Sequence, residues 1–302
     1  MNQLVDVIET YDDLLARPSF HASLPFHPKS DRRFGSVVAP YRFLDKIHCG
    51  IEACHTPHFS GYLITTSDGR ETAIGSHCGR KYFGASFEKE KRRIDDEVRR
   101  QRRIKQVRSM LDDMSAQLVL VEALERDYRD LREKKDRLMG AIGIGLFSVL
   151  KLRADRGQID IEKEVPMTNE EAESFFETSN RKRTDGKGWP TKSVFVARID
   201  GMEFLSARFK DMLVTSLITP MRELSKLTTV DIETMKPRDL TRTAKWVGEV
   251  PRSVERAQAI VKAGHDFFRS ENIEKLVHLG TPLSTLTPMI NDLRDEERSA
   301  VA

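Results

Sequence analysis

The clearest pattern of apolar and polar positions lies in the middle of the chain. Between Ala85 and Met139 there is neither proline nor glycine, and Ile104, Val107, Leu111, Met114, Leu118 and Val121 recur at alternating steps of three and four. That is the heptad spacing of a coiled-coil or helix-hairpin seam. The phase then slips to Leu124, Tyr128 and Leu131, a three-residue step where a strict seam would continue at Glu125. Unbroken, such a helix would be a rod of roughly 80 Å. Upstream, Val5, Ile8, Leu14 and Leu15 predict a short helix, and the stretch holding Pro18, Pro25, Pro28 and Pro40 predicts an irregular lead-in as far as residue 47. Downstream, Arg156-Gly157 reads as a helix C-cap, Gln158 to Val165 alternates as a strand, and Thr168 opens a helix as its N-cap. Val194 to Ile199, a turn at Asp200-Gly201, and Met202 to Leu205 predict a hairpin. Residues 208–298 read as mostly helical between prolines, with no internal repeat.

Composition narrows the class. The chain has 302 residues, 39% apolar and 32% charged, enough for about two domains. The longest weakly polar run, Leu138 to Leu150, is interrupted by three glycines and is too short to span a bilayer, so no membrane partner is expected. The first residues carry no basic stretch followed by an apolar one, so no signal peptide is visible. Three cysteines, an odd number, argue against a disulfide framework and predict a reduced, cytoplasmic protein. Net charge is only +3, but Lys89 to Arg108 carries more than twice as many basic as acidic side chains, which points to an anionic partner.

All three cysteines and four of the eight histidines fall between His48 and Gly84. The order is Cys49 and Cys54, then Tyr62 to Ile74 as a hairpin turning at Asp68-Gly69, then Gly75-Ser76-His77-Cys78 opening a helix. A structural zinc ion needs four nitrogen or sulfur ligands in a tetrahedron, which thiolates and an imidazole supply. His58 is the favoured fourth ligand, with His55 and His77 as alternatives. His77 is disfavoured because two adjacent side chains rarely point at one metal. Neither His-Glu-x-x-His nor the deaminase signature occurs, so a catalytic zinc is not expected.

This segment, about a tenth of the chain, resembles treble-clef zinc fingers. More narrowly, it resembles small zinc modules of bacterial, phage and mobile-element proteins that end in Gly-Ser-x-Cys-x-x-Lys-Tyr/Phe-Phe. The resemblance implies Cys49, Cys54 and Cys78 as metal cysteines and raises a nucleic-acid role by analogy. The chain departs from the pattern in its Cys-x4-Cys spacing and in a helix that supplies one cysteine rather than two.

Two segments have the chemistry of nucleic-acid contact. Arg92, Arg93, Arg99, Arg100, Arg102 and Arg103 lie on the helix that follows the cysteines and can meet phosphates. Lys182, Arg183, Lys187 and Trp189 combine basic residues, glycines and an indole on a loop, which suits unpaired bases. Each has a plainer reading, the first as a solvated helix flank paired with its own acids and the second as a mobile loop with its indole packed back. Asp160, Glu162 and Glu164 share a strand face and can hold Mg²⁺, though such a row is more often a solvent face.

The sequence therefore predicts an α+β, helix-dominated protein. A zinc-binding module spans residues 1–85, a long helical or coiled-coil stalk 86–140, and a mixed α/β domain with a small antiparallel sheet 141–302. Its expected function is non-enzymatic nucleic-acid binding, alone or as a subunit of a nucleic-acid complex, with DNA and RNA undecided. The rival is a scaffold that forms a homo-oligomer, or meets a partner protein, through the 86–140 helix. A metal-dependent nuclease ranks third.

Overall fold

A computed structural model describes residues 8–26, 32–179, 181 and 188–301. The fold is α+β and dominated by helix, with two small antiparallel sheets. In chain order the elements begin with α1 (Tyr11–Leu15), β1 (Phe34–His48), β2 (Pro57–Thr66), β3 (Glu71–Gly75), α2 (Ser76–Asp112) and α3 (Met114–Asp155). Next come β4 (Asp160–Pro166), α4 (Asn169–Thr178), β5 (Thr191–Arg198), α5 (Glu203–Ser206) and a π-helical segment, Lys210–Ile218. The remainder is α6 (Thr219–Leu224), α7 (Thr229–Thr234), α8 (Pro237–Phe267), α9 (Ser270–Glu274), a 3-10 turn over Lys275–Leu279, and α10 (Leu283–Val301). Among the described residues no helix is long and apolar enough to cross a membrane. The chain divides into two compact units, residues 1–110 with 228–247, and residues 111–227 with 248–302.

The first unit is built on the sheet β1-β2-β3. The hairpin read from the sequence is present: Tyr62 pairs with Ile74 and Leu63 with Ala73, and Gly69 takes the positive φ of the turn. The irregular lead-in is corrected. Residues 34–48 form a fifteen-residue strand whose alternate side chains Val37, Ala39, Tyr41 and Phe43 are buried. Pro40 is tolerated because β1 is an outer strand, where a missing N–H costs least. Residues 17–21, before it, are tied to the sheet as well. The Arg17 guanidinium grips the buried Glu71 carboxylate in a two-point ion pair, and Glu71 N donates to Ser19 O. α1 is capped by Thr10 and Asp13 through a reciprocal capping box; Val5, expected in that helix, lies outside the described residues. α2 bends at Gly84, and Phe87 folds back so closely on Gly79 that a methyl there would meet its ring at 2.4 Å.

In the second unit, helix α3 carries the seam. Met114, Val121, Leu124, Leu131 and Leu138 are buried, stepping by seven on either side of the three-residue slip, while Leu118 and Tyr128 are half-buried. The cover comes from the same chain: α3 packs on α5, α6, α10 and the π-helical segment. The long proline-free stretch holds two helices, α2 ending at Asp112 and α3 beginning at Met114. The C-cap at Arg156-Gly157, the strand β4 and the capping box of Thr168 with Glu171 match the sequence reading.

The hairpin expected across 194–205 is corrected. β5 pairs antiparallel with β4, Ile161 opposite Ala197, and the chain after Gly201 becomes helix α5. Burial decides the outcome. Phe204 and Leu205 are almost fully enclosed, and Phe204 lies against Gly264, where a methyl would meet its ring at 2.9 Å. Gly201 keeps its positive φ of 69° and presses on α8, its would-be methyl only 1.9 Å from Ala263 O. Gly201→Ala should therefore cost about 2–4 kcal/mol, from left-handed strain plus overpacking. Urea unfolding checks this, and an unchanged midpoint would contradict it.

Candidate metal centre

Three pieces of backbone converge at the open end of the first sheet. Cys49 follows β1 directly and is fully buried. The chain then turns over Ile51 to His55: the Ile51 carbonyl accepts from the N–H groups of Cys54 and His55, and His55 takes a left-handed φ of 46° to close the turn. This knuckle is clamped on two sides. Gly50 N donates to Ala73 O at 2.7 Å, and Leu24 exchanges backbone hydrogen bonds with Gly50 and Glu52. A methyl at Gly50 would sit 1.9 Å from Thr72 Oγ1, so the knuckle lies directly on β3. Cys78, in the first turn of α2, brings the third sulfur.

The sulfurs of Cys49, Cys54 and Cys78 all lie within 4.8 Å of one another. Those of Cys54 and Cys78 are 3.2 Å apart, well beyond the ~2.05 Å of a disulfide. A tetrahedral zinc with bonds of ~2.3 Å sets its sulfurs about 3.8 Å apart, so a small closing or opening of the knuckle accommodates an ion. This trio can hold a metal. Among the described residues no imidazole or carboxylate joins the three sulfurs at that distance.

The thiols differ in environment. Burial pushes Cys49 up, against the pull of the Ile51 and Gly75 N–H groups. Burial also pushes Cys78 up, and its hydrogen bonds to the neighbouring sulfurs add to the rise. Cys54 is half-exposed; burial pushes it up, but the Thr56 hydroxyl, 3.3 Å away, the Thr56 N–H and the Cys78 and Cys49 sulfurs together bring it down. A cation would replace the protons of all three, so binding is expected to strengthen as pH rises.

Of the three candidate histidines, His55 and His77 are exposed and His58 is half-buried. The His58 ring and the Cys78 sulfur face the same side of Gly75, where a methyl would lie 3.5 Å and 3.7 Å from them. His58 Nε2 is 2.6 Å from the Tyr41 hydroxyl, and Nδ1 is 3.1 Å from Thr56 O. Tyr41, buried and stacked on Phe43, escaped sequence reasoning, as did Leu24 and the Arg17–Glu71 pair. Only the alternation Val37, Ala39, Tyr41, Phe43 signalled an inward tyrosine.

Comparison of the chain with protein-family models, curated proteins and solved structures returns no match.

The basic residues fall into distinct roles. Arg92, Arg99 and Arg103 share one face of α2 with Lys89, at helical spacing. Arg93 pairs with Glu90 and Arg99 with Asp96 on the same helix. Arg100 donates to the main-chain carbonyls of Glu233 and Met235 at the end of α7, a capping role. Lys182, Arg183 and Lys187 lie outside the described residues. Trp189 is 42% exposed, with Nε1 donating to Met167 O at 2.7 Å. The acidic row on β4 is engaged by β5: Asp160 pairs with Arg198, and Glu162 accepts from the Ser193 hydroxyl.

Proposed function

We propose that the chain is a non-enzymatic, zinc-stabilised nucleic-acid-binding protein, acting alone or within a nucleic-acid complex. The observation that carries this reading is the face of α2 that bears the exposed Arg92 and Arg99 and the half-buried Arg103, on the helix that begins at the cysteine cluster. Cys49, Cys54 and Cys78 would hold the zinc, with His58 as the favoured fourth ligand. Bound there, the zinc would tie knuckle, hairpin and helix together. That order of elements supports the treble-clef reading. Arg92, Arg99 and Arg103 then supply the phosphate contacts, and Trp189 offers part of its ring to an unpaired base. The scaffold reading draws on the heptad seam, but its α3 half is already covered by helices of the same chain.

Titration against single- and double-stranded DNA and RNA at two salt concentrations tests the proposal. Arg92→Gln, Arg99→Gln and Arg103→Gln combined keep good helix formers and spare the capping Arg100. This variant should bind roughly tenfold or more weakly. Its log K against log salt slope should be shallower by about 0.9 for each duplex phosphate left without its arginine. Unchanged affinity and slope would clear this face of any contact role. Wild-type protein that binds nothing at low salt, yet runs as a stable oligomer, would favour the scaffold.

A further inference from the structure

The three cysteines are not equivalent to a reagent arriving from solvent. Cys49 and Cys78 are buried, at 0% and 6% exposure, whereas Cys54 is half-exposed on a turn flanked by the exposed residues Glu52, Ala53 and His55. Its sulfur is already in contact with that of Cys78, 3.2 Å away. The Cys49 sulfur also meets the other two, but it is buried and additionally held by the main-chain N–H groups of Ile51 and Gly75. One accessible sulfur, one buried partner in contact and a short turn to carry the movement are the parts of a thiol-oxidation site.

We infer that Cys54 is an oxidation site: a hydroperoxide, hydrogen peroxide in the simplest case, joins Cys54 to Cys78 as a disulfide and so expels the metal. The expulsion rests on the proposed zinc site; the disulfide rests on the sulfurs alone. In the first step the Cys54 thiolate attacks the peroxide. An S–O bond forms, the O–O bond breaks, and hydroxide leaves. The Cys78 thiolate then attacks the Cys54 sulfur, forming the S–S bond and breaking S–O with loss of a second hydroxide. Two thiolates give up two electrons, which reduce one peroxide to two hydroxides. A cation at the site would lose two of its sulfur ligands at once, leaving Cys49 reduced. A cytosolic disulfide of this kind is transient and is reversed by thiols.

The test uses the full chain, loaded with zinc, treated with hydrogen peroxide in the absence of reductant. Zinc release is followed with a chromogenic chelator, free thiols are trapped by alkylation, and the disulfide is mapped by mass spectrometry. The expected result is a Cys54–Cys78 disulfide formed in step with zinc release, Cys49 alkylated, and recovery on adding dithiothreitol and zinc. Cys54→Ser should slow thiol loss about tenfold, because the remaining sulfurs are shielded. Cys49→Ser should still form the same disulfide. A disulfide that contains Cys49 in the wild type would overturn the inference, as would Cys54 overoxidised beside an alkylatable Cys78. If the purified chain holds no zinc, the metal reading fails, and the disulfide map on that same sample still decides this inference.

Discussion

Cys78→Ser is expected to abolish metal binding and to unfold residues 48–84 locally. Cys78 is the sulfur that α2 brings to the cluster, since the other two both come from the turn that follows β1. Metal binding free energy in such modules is folding free energy, on the order of 10 kcal/mol in isolated zinc-finger peptides. Here Leu24, Ile51 and the clamp on β3 hold part of the structure without metal, so a loss of several kcal/mol is expected. Elemental analysis should find about one zinc per wild-type chain and none in the variant. Hydrogen exchange should rise across residues 48–84. His77→Ala, at an exposed position, should leave both measurements unchanged, and His58→Ala should weaken zinc binding. Well-folded wild-type protein with no metal would refute the zinc assignment.

The second large effect belongs to α3. Leu131 is 1% exposed and rests on Gly264, where a methyl would lie 2.6 Å from its Cδ1. Leu131→Asp forces a carboxylate into this enclosed position and removes the leucine's own packing, a cost of about 4 kcal/mol or more. Leu118→Asp, at a half-buried seam position, should cost clearly less because water can reach the charge. Paired urea titrations read both. Equal losses would mean that the seam is covered evenly, against its graded burial.

What could be read from the sequence is what local chemistry determines. The Asp68-Gly69 turn, the Thr168 cap and the Arg156-Gly157 stop each need only a few neighbouring residues, and each is present. The heptad spacing marked the buried positions of α3, including the slip at Leu124. The nearness of the three cysteines was legible because knuckle, hairpin and helix are consecutive. Elements fixed by distant partners were not legible. β5 has no buried side chain, so nothing in its own residues distinguished pairing with Met202 to Leu205 from pairing with β4. The choice lies with Phe204, Leu131 and Gly264, which are far apart in sequence. Asn272 adds to it, its amide exchanging hydrogen bonds with both backbone groups of Asp200. Pro40 outweighed the alternation of β1 because the sequence does not say which strand lies at an edge.

The division of the chain has a consequence for how the protein is made. Residues 228–247 belong to the same unit as the cysteine cluster, yet the ribosome must first synthesise all of residues 111–227. Until then Arg100 has no carbonyls of Glu233 and Met235 to donate to, and Arg108 lacks the Glu233 carboxylate. The unit that holds the cysteine cluster is thus finished late in translation although most of its residues precede Leu111. A piece clipped at Asp112, the natural end of α2, would be born without its closing helix. A splice carrying residues 8–112 joined to 228–247 is the smaller chain that should keep the cluster intact.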